Sequence, residues 1–317
     1  MTIYYQNSET GDAWDVTTLC SEAKLKTVRS GSPGSLTAKF LPDEQVVWAN
    51  GGILTVLAED GTGIFYGYVF KCVWKEDGVV SVTAYDQLIY LKRNKETYVF
   101  EDQTCDAIIS QICADFGIAI GALESGSYSI PSLVEDGKTL LDICLDAIDY
   151  ELAYAGVMLF LWDDYGKIRL SSPESLKLDL ILGDHSLATG YEYEEEIETE
   201  TYNRIKLVQD NKNTGKRDVY IFEDSGTMKK WGTLQDYEVV AESMSASDIQ
   251  TRGEQMLQLY NRPKKKFSID ALADLSVRAG YGVCIQISDL GVNAFFIVEE
   301  CTQDLVKETM TLTLKVV

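Results

Sequence analysis

Residues 53–85 read ILTVLAEDGTGIFYGYVFKCVWKEDGVVSVTAY. Three β-rich runs, Ile53–Ala58, Ile64–Trp74 and Val79–Tyr85, are separated by two turn-forming stretches, Glu59–Gly63 and Lys75–Gly78. Alternating apolar residues with glycine-containing breaks of this length predict an antiparallel meander. The end of the chain repeats the layout in VCIQISDLGVNAFFIVEECTQDLVKETMTLTLKV, residues 283–316. A short strand (Val283–Ser288) and a glycine turn (Asp289–Gly291) precede a long aromatic strand (Asn293–Thr302). A polar turn (Gln303–Lys307) and an alternating strand (Glu308–Val316) follow. Cys72 and Cys301 fall at similar places in the two long strands, and the pair of segments reads as an internal duplication.

Helical patterns lie between these ends. Thr104–Phe116 carries Ile108, Ile109, Ile112 and Phe116 on one face and stops at Gly117. Thr139 to about Tyr154 carries Leu140, Ile143, Cys144, Ala147, Ile148 and Leu152, with Thr139 and Asp142 placed as a capping pair. Val157–Trp162 and Lys167–Leu170 around Asp163-Asp164 predict a hairpin, and Ser247–Tyr260 a third helix stopped by Asn261-Arg262-Pro263. The expected fold is α+β and mainly β. Residues 1–95 read as a β-rich region, 96–189 as a small α/β domain with two helices and a hairpin, and 190–317 as a second β region containing one helix.

The chain has 317 residues and a formal net charge of −22. That charge opposes binding to a polyanion, because nucleic-acid affinity comes largely from Lys and Arg on phosphates. The one basic cluster, Arg262-Pro263-Lys264-Lys265-Lys266, reads as a helix-end and loop feature, or else as a contact for an acidic partner. The N-terminal stretch lacks the basic start and apolar core of a signal peptide, and no apolar run approaches ~20 residues. Seven cysteines occur without a C-x-x-C pair and read as buried thiols.

His185 is the single histidine, so a two-histidine metal site within one chain is excluded. Neither a P-loop nor a strand-flanked G-x-G-x-x-G is present. No catalytic, cofactor-binding or metal-ligating residue is assigned.

One stretch demands an explanation: GYEYEEEIETETYNRIKLV, residues 190–208. As a strand it places Glu192, Glu194, Glu196, Glu198 and Glu200 on one face, with Tyr191, Tyr193, Glu195 and Ile197 on the other. A flat strand of that length would exceed ~60 Å, so a bend near Thr201-Tyr202-Asn203 is expected.

Several motifs together resemble the XkdQ family of phage and prophage tail proteins. They are the run Val82–Asn94, the capped helix ending in Asp115-Phe116-Gly117-Ile118, Thr139–Ile143, Tyr202–Leu207 and Trp231–Gln235. The resemblance implies a structural baseplate hub of a contractile phage tail, a prophage element or an R-type bacteriocin, and not an enzyme. It implies that residues 1–95 and 190–317 are two related β-barrels, the second containing one helix, and that three copies would form a ring whose six barrels adapt a six-fold tail tube to a three-fold spike. The implied partners are the tube, spike, tape-measure and other baseplate proteins, without membrane insertion or specific nucleic-acid binding. The implied location is the baseplate of a virion or tail-like particle, after synthesis in the bacterial cytoplasm. In such a ring the glutamate face would border the lumen or form an ordinary solvated outer face. The competing classes are a cell-wall hydrolase using two carboxylates and a glycan-binding β-protein.

Overall fold

The computed structural model describes residues 1–184, 186–211, 215–242 and 244–316. It is mainly β, with 48% strand and 19% helix. Strands β1 (Thr2–Gln6), β2 (Ala13–Asp15), β3 (Cys20–Val28), β4 (Ser35–Phe40), β5 (Ile53–Leu57), β6 (Gly63–Trp74) and β7 (Val80–Tyr85) come first. The middle of the chain forms α1 (Leu88–Arg93), β8 (Lys95–Gln103), α2 (Cys105–Asp115), β9 (Ile120–Leu123), β10 (Ile130–Thr139), α3 (Leu140–Tyr150), β11 (Phe160–Asp163) and β12 (Ile168–Ser171). Next come β13 (Lys177–Gly183), β14 (Ala188–Glu196), β15 (Arg204–Asn211), β16 (Lys216–Glu223), α4 (Ser225–Trp231), β17 (Gln235–Val240) and α5 (Ala246–Tyr260). The chain closes with β18 (Lys264–Leu272), β19 (Gly282–Ile287), β20 (Val292–Asp304) and β21 (Thr309–Val316).

Both expected meanders form, and their registers repeat. Ile53 faces Tyr68 as Gly282 faces Ile297, and Leu54 faces Gly67 as Val283 faces Phe296. Tyr68 faces Tyr85 as Ile297 faces Lys315, and Cys72 faces Val82 as Cys301 faces Leu312. Even the irregularity repeats. The register shifts between Val69 and Lys71 in β6, and between Val298 and Glu300 in β20. A bulge re-aims a strand and increases its twist, so matching bulges give both long strands the same bend. Buried positions also correspond: Leu54, Val56, Val69, Val82 and Ala84 match Val283, Ile285, Val298, Leu312 and Leu314.

The repeat extends to the neighbouring strands. The order β3-β4-β7-β6-β5 in one half recurs as β14-β18-β21-β20-β19 in the other. The halves differ at their flanks, where β1 joins β5 antiparallel and β13 joins β19 parallel. Each half has its own core. Tyr5, Phe40 and Trp48 stack in the first, and Phe267, Ile269, Ile285 and Leu312 fill the second.

The α/β block packs α2 and α3 with β8–β12 around Ile108, Ile112, Leu140, Ile143, Ile168 and Leu170. Thr139 Oγ1 accepts from the Asp142 N–H, so the expected cap forms. Leu88 and Leu91 of α1 join this core, so it begins before residue 96.

The second half also differs from the expected layout. Met1–Glu192 and Phe267 onward form one compact unit, and Tyr193–Lys266 form another. In that second unit β15 pairs with β16 antiparallel and with β17 parallel. Its core holds Ile205, Leu207, Phe222, Val240 and Ile249 of α5. The helix expected inside the second barrel therefore belongs to a unit with its own core, because its apolar stripe is buried by β15 and β16. Helix α4, capped by the Asp224 carboxylate, was not anticipated.

Candidate functional site

The two β halves of the first unit join where β20 meets β3. Cys301 faces Thr27 and Asp304 faces Lys24 in an antiparallel ladder. Lys26 and Glu300 form an ion pair at 2.8 Å, and Arg29 Nε lies 2.8 Å from Glu299 Oε1. Inside the joint the buried Thr27 Oγ1 accepts from the Ala279 N–H at 3.0 Å. The edge of β20 is thus shared: β19 takes Val292–Ile297 and β3 takes Glu300–Asp304.

The matching edge of β6 is only half used. β5 covers Gly63–Tyr68, and among the described residues no strand pairs with Lys71–Trp74 on that side. Phe70, Val73 and Trp74 are exposed there, Trp74 at 61%.

Three chain segments meet at a buried charge cluster. Asp86, between β7 and α1, accepts from the Gly34 N–H at 2.7 Å and the Leu88 N–H at 3.1 Å. Asp163, at the end of β11, accepts from the Gly166 N–H at 3.0 Å. Arg278 comes from the second β half, with its guanidinium 5.4 Å from the centre of the Trp162 ring. Burial raises the Asp86 carboxyl well above the ordinary carboxylate range, and the Asp163 charge adds to it. Burial likewise pushes Asp163 up to about 6, against the Gly166 hydrogen bond and Arg278. In the sequence Asp163 reads only as part of a turn. Asp86 and Arg278 carried no signal, since their burial depends on three distant segments.

The cluster gives a pH prediction. A folded pKa above the unfolded one stabilises fully below the ordinary carboxylate range, and that stabilisation is lost as pH rises through about 6. Urea unfolding of Asp163→Asn at several pH values is expected to show a flatter pH dependence than the wild type. Equal slopes would remove Asp163 from the titration.

The glutamate stretch does not form one continuous anionic face. β14 ends at Glu196, and residues 197–203 form the bend, which starts earlier than expected. Tyr191–Glu195 are exposed on both faces of β14, while Glu198 and Glu200 lie beyond the strand. Glu200 pairs with Lys264. In the basic cluster, Arg262 donates to the Leu259 carbonyl, and Lys264–Lys266 begin β18.

Cys105, Cys113, Cys144 and Cys301 are buried, whereas Cys20, Cys72 and Cys284 are half-buried. His185 lies outside the described residues. Among the described residues no group of His, Cys, Asp and Glu is arranged to hold a metal ion, and no helix is long and apolar enough to cross a membrane.

The YqbQ-like family model matches residues 23–317. The chain is 28% identical over 298 residues to the uncharacterized protein YqbQ of Bacillus subtilis (strain 168), covering 92% of this chain and 90% of the relative. It is 28% identical over 305 residues to the phage-like element PBSX protein XkdQ of the same organism, covering 94% and 92%. Among solved structures, the 43 kDa tail protein of prophage MuSo2 from Shewanella oneidensis aligns with a TM-score of 0.73 at 13% identity, over 100% of this chain and 98% of that one. The match of the family model over nearly the whole chain, together with the shared mainly-β fold, makes this protein a member of the YqbQ-like family.

Proposed function

We propose that this chain is a structural baseplate hub protein of a contractile phage tail, a prophage element or an R-type bacteriocin. The observation that carries the proposal is the register-equivalent pair of meanders, matching bulges included. A chain with two equivalent β units presents six such units as a trimer, which suits a joint between six-fold and three-fold structures. The names of the relatives, a PBSX phage-like element protein and a prophage tail protein, support the same particle class.

In this proposal β3–β7 and their counterparts β14 and β18–β21 supply the paired β modules. The partners are two further copies, the tube, the spike and the tape-measure protein. The chain acts by shape and contact, not by catalysis. A net charge of −22 keeps its surfaces from adsorbing nucleic acid.

Cryo-EM of the chain, alone and co-expressed with the neighbouring tail genes, tests this. The expected result is a three-fold ring with six similar β modules. A chain that stays monomeric even with its tail partners present would overturn it.

A further inference from the structure

The register repeat exposes one unfilled place. Counted through the bulges, Lys71–Lys75 of β6 correspond to Glu300–Asp304 of β20, the segment that β3 covers. The counterpart of β3 in the other half is β14. Leu272 N donates to Leu187 O at the start of β14, as Leu41 N donates to Leu19 O at the start of β3. β14 is also the strand at which the order of the large sheet ends.

We propose that the open edge at Lys71–Trp74 receives β14 of a second copy of this chain as an antiparallel strand. The pairing would reproduce between chains the joint that β3 and β20 make within one. This inference rests on the ring reading above and names the contact that would build the ring.

Charge supports the assignment. Phe70–Lys75 carries Lys71 and Lys75 and no acid, while Tyr191–Glu196 carries four glutamates and no base. In the internal joint the signs are reversed: Lys24 and Lys26 lie on β3 with Arg29 just after it, and Glu299, Glu300 and Asp304 lie on β20. A second copy's β14 is therefore attracted to β6 and repelled by β20, and β3 is repelled by β6. Attraction in one pairing and repulsion in the other set specificity. Phe70, Val73 and Trp74, large and exposed beside unpaired backbone groups, are the kind of strand edge that proteins otherwise blunt or cover. The contact joins unlike surfaces, so chains add head to tail until the ring closes.

Carrying the β3 register onto β14 brings Cys72 opposite the segment Tyr193–Glu195. Tyr193→Cys, Glu194→Cys and Glu195→Cys, made singly in the full chain with its tail partners and mildly oxidised, test the register. At least one is expected to give a chain-to-chain disulfide whose peptides contain Cys72, and adding Cys72→Ser should abolish it.

Charge reversal is the second arm. Lys71→Glu with Lys75→Glu is expected to weaken self-association at least ~10-fold, and adding Glu192→Lys, Glu194→Lys and Glu195→Lys should restore it. All five charged side chains are exposed, and unfolding midpoints check that the variants remain folded. A ring that forms without any Cys72 cross-link and ignores charge reversal would overturn this contact and leave the ring intact as a proposal. Absence of any ring in the co-expressed assembly would overturn both.

Discussion

Phe65→Ala is expected to destabilise the first β half by about 3–5 kcal/mol, read as a lower urea midpoint with an unchanged slope. Phe65 is 2% exposed and lies directly over Gly67. A Cβ built on Gly67 would come 2.4 Å from the Phe65 ring and 2.6 Å from the Tyr85 carbonyl oxygen. In the second meander the register puts Ala294 where Phe65 stands and Phe296 where Gly67 stands. The buried ring thus sits two residues further along in the second strand, at Phe296, while Ala294 is exposed.

The same geometry predicts how two changes combine. Gly67→Ala alone is expected to destabilise through both the ring and the carbonyl. With Phe65→Ala the ring overlap disappears and the carbonyl overlap stays. The double variant should then lose less than the sum of the single losses, by at least ~0.5 kcal/mol. Strict additivity would mean that the ring does not occupy the space above Gly67.

Gly183→Ala is expected to cost about 3 kcal/mol or more. Gly183 faces Gln286 in the parallel pair of β13 and β19. A Cβ there would fall 1.8 Å from the Gln286 carbonyl oxygen and 2.8 Å from its carbon. Those are backbone atoms held in the sheet by β20, so no side-chain rotation relieves the overlap. The control is Gly190→Ala in β14, where nothing lies within 4 Å of the added Cβ. That change is expected to be neutral or slightly stabilising, since it restricts the unfolded chain. Equal midpoints for the two variants would show that β13 does not approach β19 this closely.

Much of the local structure was legible in the chain. Alternation marked β5–β7 and β19–β21 to within a few residues, helical spacing with the Thr139 cap marked α3, and the Asn261-Arg262-Pro263 stop marked the end of α5. Helix α1 is not legible in the chain as a helix, although Val82–Asn94 is one of the runs that together carry the family resemblance. It spans only six residues, too few for a periodic signal. For the candidate site, the sequence drew attention to the glutamate stretch but not to the edge of β6 that would receive it. Lys71–Trp74 looks like any strand end until its missing neighbour is known.

What the sequence determined alone is the class of each segment and which of its faces is apolar, because side-chain periodicity is a local property. It also carried the repeat, down to Cys72 and Cys301 on facing-equivalent positions. The tertiary structure decided which strand lies beside which: β3 against β20, residues 193–266 as a unit with a separate core, and Asp86, Asp163 and Arg278 at one buried point. Strand edges pair through backbone N–H and C=O groups that every residue but proline carries, so the backbone does not select the neighbour, and edge charges select one only once the fold has brought the candidate strands within reach.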